Sequence, residues 1–76
     1  KVVLRKEKKG RGGKTVTLVE GIHASSKALE SLAKELRKGL GCGAHVEEHL
    51  LILQGDIRER AAQWLSKKGV KKIIQS

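Results

Sequence analysis

The residues with the most chemistry to offer lie in Lys8-Lys9-Gly10-Arg11-Gly12-Gly13-Lys14, where four cations and three glycines sit between two segments that each read as a β-strand. Clustered positive charge on glycine-rich backbone suits nucleic-acid phosphates. The cations release condensed counterions, and the glycines let the main chain approach closely. Residues 1–14 hold seven Lys or Arg against one acid, Glu7, and so carry six of the nine net positive charges of this 76-residue chain. Solubility alone does not require so uneven a distribution. The expected partner is a polyanion, and the expected contacts are Lys8, Lys9, Arg11, Gly12, Gly13 and Lys14.

Two other strings look catalytic and fail on context. Gly10-Arg11-Gly12-Gly13-Lys14-Thr15 ends like a nucleotide-binding phosphate loop, but Lys8 stands where that pattern needs its first glycine. The residues that follow, Thr15-Val16-Thr17-Leu18-Val19, read as a strand where the pattern needs a helix. His45-Val46-Glu47-Glu48-His49 formally fits H-x-x-E-H, a zinc signature that works only on a helix. Here it is bracketed by Gly41, Gly43 and an apolar strand, and in an extended chain residues four apart are about 13 Å apart. Adding His23 and Cys42 supplies ligands in number only. His45 is expected on a strand surface, His49 in a turn, and Cys42 as a small buried thiol. Glu47 and Glu48 fall to a turn and Asp56 to a helix cap. No catalysis, metal or cofactor is expected.

The elements that must position the basic loop follow from periodicity. Val2 to Lys8 and Thr15 to Val19 make a hairpin, the second strand carrying Val16 and Leu18 on one face. Ser25 or Ser26 caps a helix whose Leu29, Leu32, Ala33, Leu36 and Leu40 form one stripe, with Gly39 as its stop and Leu40 folding back. Ala44 to Glu47 and Leu50 to Gln54 make a second hairpin that turns at Glu48 and His49. Asp56 with Glu59 resembles a capping box for a helix turning Ile57, Ala61, Trp64 and Leu65 inward. Gly69 ends that helix, and a last strand falls within Val70 to Gln75. The order ββαββαβ predicts an α+β, two-layer sandwich: two helices on one face of a four- or five-stranded mixed sheet, the other face partly exposed. Residues 1–76 read as one domain, and Lys67, Lys68, Lys71 and Lys72 form a second, weaker basic patch.

Composition bounds the setting. Trp64 is the only aromatic, so the chain cannot build the stacking platform of single-strand binders; recognition should run through phosphate and shape, with Arg11 best placed to stack on a base. One cysteine rules out an internal disulfide and fits a reducing compartment. No apolar run approaches the roughly 20 residues of a membrane span. A cytoplasmic, monomeric protein is expected. The lack of any methionine, even at position 1, suggests a processed product or a domain of a longer chain.

Four blocks in order, Gly10-Arg11-Gly12-Gly13-Lys14-Thr15-Val16-Thr17, Val19-Glu20-Gly21-Ile22, Leu40-Gly41-Cys42-Gly43-Ala44 and Leu53-Gln54-Gly55-Asp56-Ile57-Arg58, resemble the eukaryotic-type translation initiation factor one family, the suppressor-of-initiator-codon domain. The resemblance spans essentially the whole chain and is closest to the short bacterial and archaeal members. It implies binding to the small ribosomal subunit near the P site, with the hairpin loop against ribosomal RNA close to initiator tRNA and mRNA, and an influence on start-codon selection. By the same resemblance Arg11, Gly12, Gly13 and Lys14 are the RNA-contacting loop, Gln54, Gly55, Asp56 and Arg58 the strand-to-helix junction, and Arg58 and Arg60 secondary contacts. His49 departs from the glycine that relatives often carry at its turn. The alternative is a protein–protein adaptor or general structured-RNA binder with no role in initiation.

Overall fold

Apolar alternation at each end of the basic loop produces β1 (Val2–Lys9) and β2 (Lys14–Glu20). The computed structural model describes residues 1–9 and 14–75; Gly10, Arg11, Gly12, Gly13, the Lys9 side chain and Ser76 lie outside the described residues. The two strands pair antiparallel from Val3↔Glu20 to Lys9↔Lys14. Both run further than their apolar residues indicate, because main-chain pairing carries the ladder through the charged positions. Lys9 and Lys14, expected in the loop, therefore have strand backbone.

Helix α1 (Ser26–Leu40) starts as expected, with Ser25 Oγ accepting the Ala28 N–H at 3.1 Å, and it buries Leu29, Ala33, Leu36 and Leu40. Its end differs from the sequence reading. The helix runs through Gly39 to Leu40, and Gly41 takes the left-handed conformation at φ 64°, donating its N–H to the Arg37 carbonyl at 3.0 Å. Gly39 has a steric reason instead. A Cβ there would lie 2.3 Å from Trp64 Nε1, so the glycine makes room for the indole.

Strands β3 (Ala44–Glu47) and β4 (Leu50–Gln54) form the second hairpin. Its two turn residues, Glu48 at φ 47° and His49 at φ 67°, are both left-handed, as a two-residue hairpin of type I′ demands. Helix α2 (Arg58–Lys67) ends in a Schellman motif: Val70 N–H reaches the Leu65 carbonyl at 3.1 Å and Gly69 N–H the Ser66 carbonyl at 3.0 Å, with Gly69 at φ 97°. The last strand, β5, is confined to Ile73–Gln75, shorter than the segment expected.

The result is α+β, with a five-stranded mixed sheet in the order β3-β4-β2-β1-β5, β5 lying parallel to β1. Val2, Leu4, Val19, Leu51 and Leu53 pack on one side against Leu29, Ala33 and Leu36 of α1 and Ala61, Ala62 and Leu65 of α2. Trp64 and Ile57, read as inward-facing, are only partly buried against this core.

The other sheet face is more closed than expected. Val16, Leu18 and Ile52 form a separate buried cluster there, each at most 4% exposed. Leu18 has Arg5 and Ile52 as its cross-strand neighbours, and Ile52 has His45. The Arg5–Glu20 ion pair and the His45–Glu47 hydrogen bond stand at the two ends of this row, where long side chains shield apolar surface.

Candidate nucleic-acid interface

The hairpin that carries the basic loop stands clear of the rest of the sheet. Strand β4 pairs with β2 only as far as Val16↔Gln54, and the Gly55 N–H closes the edge on the Thr15 carbonyl at 2.8 Å. The β1–β2 ladder continues past this bond to Lys9↔Lys14, so its last rung projects before the loop begins. The last rung sets two lysines opposite each other. Lys6, Lys8 and Lys14 are exposed. The expectations for Arg11, Gly12 and Gly13 fall outside the described residues.

Beside the base of this hairpin lies the β4–α2 junction, built around a residue that the sequence reading overlooked. Thr17 is fully buried. Its Oγ1 donates to the Gly55 carbonyl at 2.8 Å and accepts the Ile57 N–H at 3.0 Å, so one hydroxyl satisfies both the end of β4 and the entry to α2. This corrects the capping-box expectation. No side chain within the segment caps α2, and the N-cap position is Ile57. Asp56 instead turns back to Arg58, accepting from Nε at 2.9 Å and Nη2 at 3.3 Å. Those hydrogen bonds, aided by the positive charges of Arg58 and Lys6, hold the Asp56 carboxyl below its ordinary pKa despite a smaller opposing desolvation.

The two arginines assigned as secondary contacts are thus already engaged. Arg58 is half-buried and clasped by Asp56. Arg60 is exposed, yet donates from Nη2 to the Leu40 carbonyl at 3.1 Å and so closes the last turn of α1. Arg37 does similar service on the Ala44 carbonyl at 2.7 Å. All three stand at the end of the body from which the hairpin projects. There they add positive potential while fixing the loops below it.

The second basic patch lies at the other end of α2, about 15 Å away along the helix. Within it Lys68 is committed: its Nζ pairs with Glu35 Oε1 at 2.8 Å and stands 5.2 Å from the centre of the Trp64 ring.

The remaining sequence candidates do not converge. His45 sits on β3 beside Glu47 at 2.7 Å, His49 occupies the turn, and no three His, Cys, Asp or Glu side chains gather as a ligand set among the described residues. Cys42 is half-exposed rather than buried, and its partial burial pushes the thiol pKa up. No helix among the described residues is long and apolar enough to cross a membrane.

Fold and site together define a small two-layer α+β domain with a projecting basic hairpin. The chain belongs to the translation initiation factor SUI1 family, whose model matches residues 1–71. It is 40% identical over 70 residues to the uncharacterized protein YciH of Salmonella typhimurium, covering 92% of this chain and 65% of that one. It is 42% identical over 64 residues to a protein translation factor SUI1 homolog of the archaeon Sulfurisphaera tokodaii, covering 84% of this chain and 64% of the relative. A Synechocystis protein, sll0546, is 37% identical over 73 residues, 96% of this chain and 66% of that one. The chain thus spans just under two thirds of the length of these curated relatives.

Proposed function

We propose that the chain is a noncatalytic translation initiation factor that binds the small ribosomal subunit near the P site through its β1–β2 hairpin and modulates start-codon selection. The observation that carries this reading is the β1–β2 ladder that outruns the sheet and ends on the Lys9↔Lys14 rung. It lifts the loop off the body, so that only the hairpin need enter a cleft in folded RNA. Lys8, Lys9, Arg11 and Lys14 neutralise phosphates there, and Gly12 and Gly13 allow close approach of backbone to backbone. The family's description supports initiation as the setting, and the archaeal relatives are named translation factors. Initiator tRNA and mRNA are then the neighbours against which the loop competes, and the cytoplasm is the place of action.

Arg58 and Arg60 act differently from the hairpin cations. Each is held by a protein acceptor, so each supports binding through the field at the base of the hairpin and by keeping the junction rigid. Residues 1–76 act in this scheme as one domain, binding as a monomer. Sedimentation through sucrose gradients with purified small subunits, large subunits and whole ribosomes tests the reading. Co-migration with the small subunit alone is expected; co-migration with neither subunit overturns it.

A further inference from the structure

The free edge of β5 and the groove beside it lie outside the hairpin site. Among the described residues, strand β5 is the last in the sheet and pairs on one side only, with β1. The Val2 N–H bonds to the Lys72 carbonyl at 3.0 Å, and this fixes the phase of the parallel ladder. Main-chain groups of Ile74 turn toward β1, and those of Ile73 and Gln75 turn outward with no strand among the described residues to receive them. Between this edge and α2 runs a groove of about 710 Å³. Ala62, Val70 and Ile73 give it an apolar floor, and Lys67, Lys71 and Lys72 stand along its rim. Those three lysines are exposed and, unlike Lys68, are paired with no acid among the described residues. At the strand's outer face Ile74 is 43% exposed, the one large hydrophobic so exposed among the described residues.

We propose that this edge is a docking site for an extended acidic peptide of a partner protein, which adds to β5 as a sixth strand and sets its carboxylates on Lys67, Lys71 and Lys72. Open donors and acceptors two residues apart match the alternation of an incoming strand, which gives affinity through main-chain bonds. The side chains that alternate with the acids turn to the opposite sheet face, where Ile74 is exposed. An RNA strand offers no main-chain partner for the open β5 ladder. A second copy of this chain is disfavoured at a symmetric β5–β5 contact, because the three lysines would meet their own counterparts on a chain of net charge +9. The site lies toward the end of α2 remote from the hairpin, so both surfaces can be occupied together.

The test is an amide NMR titration of the isotope-labelled chain with a pooled set of blocked decapeptides in which Glu alternates with Val or Ile. Saturable shifts and slowed hydrogen exchange are expected at the Ile73 and Gln75 N–H groups. Affinity should fall at least tenfold with the matching Gln peptides, and at least tenfold in the triple variant Lys67→Gln, Lys71→Gln, Lys72→Gln, whose own spectrum reports that it is folded. Absence of shifts at β5, or shifts indifferent to the triple variant, overturns the proposal. So does a single-stranded oligoribonucleotide that moves the β5 amides when the peptides do not. The double variant Arg11→Ala, Lys14→Ala should bind the peptides unchanged, which separates failure here from failure of the ribosomal reading.

Discussion

Replacing Thr17 with valine removes one hydroxyl and keeps the shape of the side chain. The structure gives that hydroxyl two partners, the Gly55 carbonyl and the Ile57 N–H, in a fully buried setting. Each bond contributes about 1 kcal/mol net, and a buried group left without its partner costs about 1–3 kcal/mol. Some of that is recovered by water reaching the half-buried Gly55 and Ile57, so the expected loss is about 3 kcal/mol. A chain of this length has about 4–11 kcal/mol of stability in total, and the loss corresponds to a fall in Tm of about 12–24 °C. Calorimetry and urea unfolding measure it, and exchange of the Ile57 N–H localises it. Thr17→Ser, which keeps the hydroxyl and loses a methyl, should cost only about 1 kcal/mol. A Thr17→Val protein within about 0.5 kcal/mol of the parent would refute the assignment of Thr17 as the pin between β4 and α2, since changes of that size are ordinary for surface substitutions.

Three further outcomes follow from neighbouring geometry. Gly39→Ala gains about 1 kcal/mol of helix propensity but must displace the indole 2.3 Å from the new Cβ; a net loss of about 1–2 kcal/mol and a red-shifted emission from the sole tryptophan are expected, and a more stable variant with unchanged emission would count against the packing. His49→Gly should relieve a left-handed residue at φ 67° and raise stability by about 0.5–1 kcal/mol, read as a rise of a few degrees in Tm. Asp56 is the only aspartate, so its carboxyl signal can be followed alone by NMR. Its folded pKa is lowered, so its favourable contribution is present above the ordinary aspartate value and is lost as pH falls through the folded pKa. Arg58→Gln should move that titration up toward 3.8, and an unmoved midpoint would contradict the clasp.

Much of the fold could be read from the chain because local signals agreed: the leucine stripe of α1, the serine cap, the apolar run of β4 and the glycine closing α2 all act over a few residues. Most of what was misread depends on contacts distant in sequence. Gly39 looked like a stop because a glycine near the end of a stripe usually is one, and its true reason, Trp64, lies 25 positions away. Asp56 and Glu59 matched a capping box, but the helix begins one residue later, with Ile57 at the N-cap, and the Asp56 carboxylate is held by Arg58. Thr17 gave no signal of its own, since Val16, Leu18 and Val19 make that strand apolar on both faces and leave its orientation open. The cationic tip was visible from composition. Its projection was not, because that depends on where β4 stops pairing.

The central claim is that the hairpin holds RNA through phosphate neutralisation. Its most direct measurement is the salt dependence of small-subunit binding for the parent chain and the double variant Arg11→Ala, Lys14→Ala. Each lost phosphate contact lowers the slope of log K against log salt by about 0.7–0.9, so the variant should bind more weakly at low salt with a slope reduced by about 1.4–1.8. Equal affinity and an unchanged slope would contradict the account.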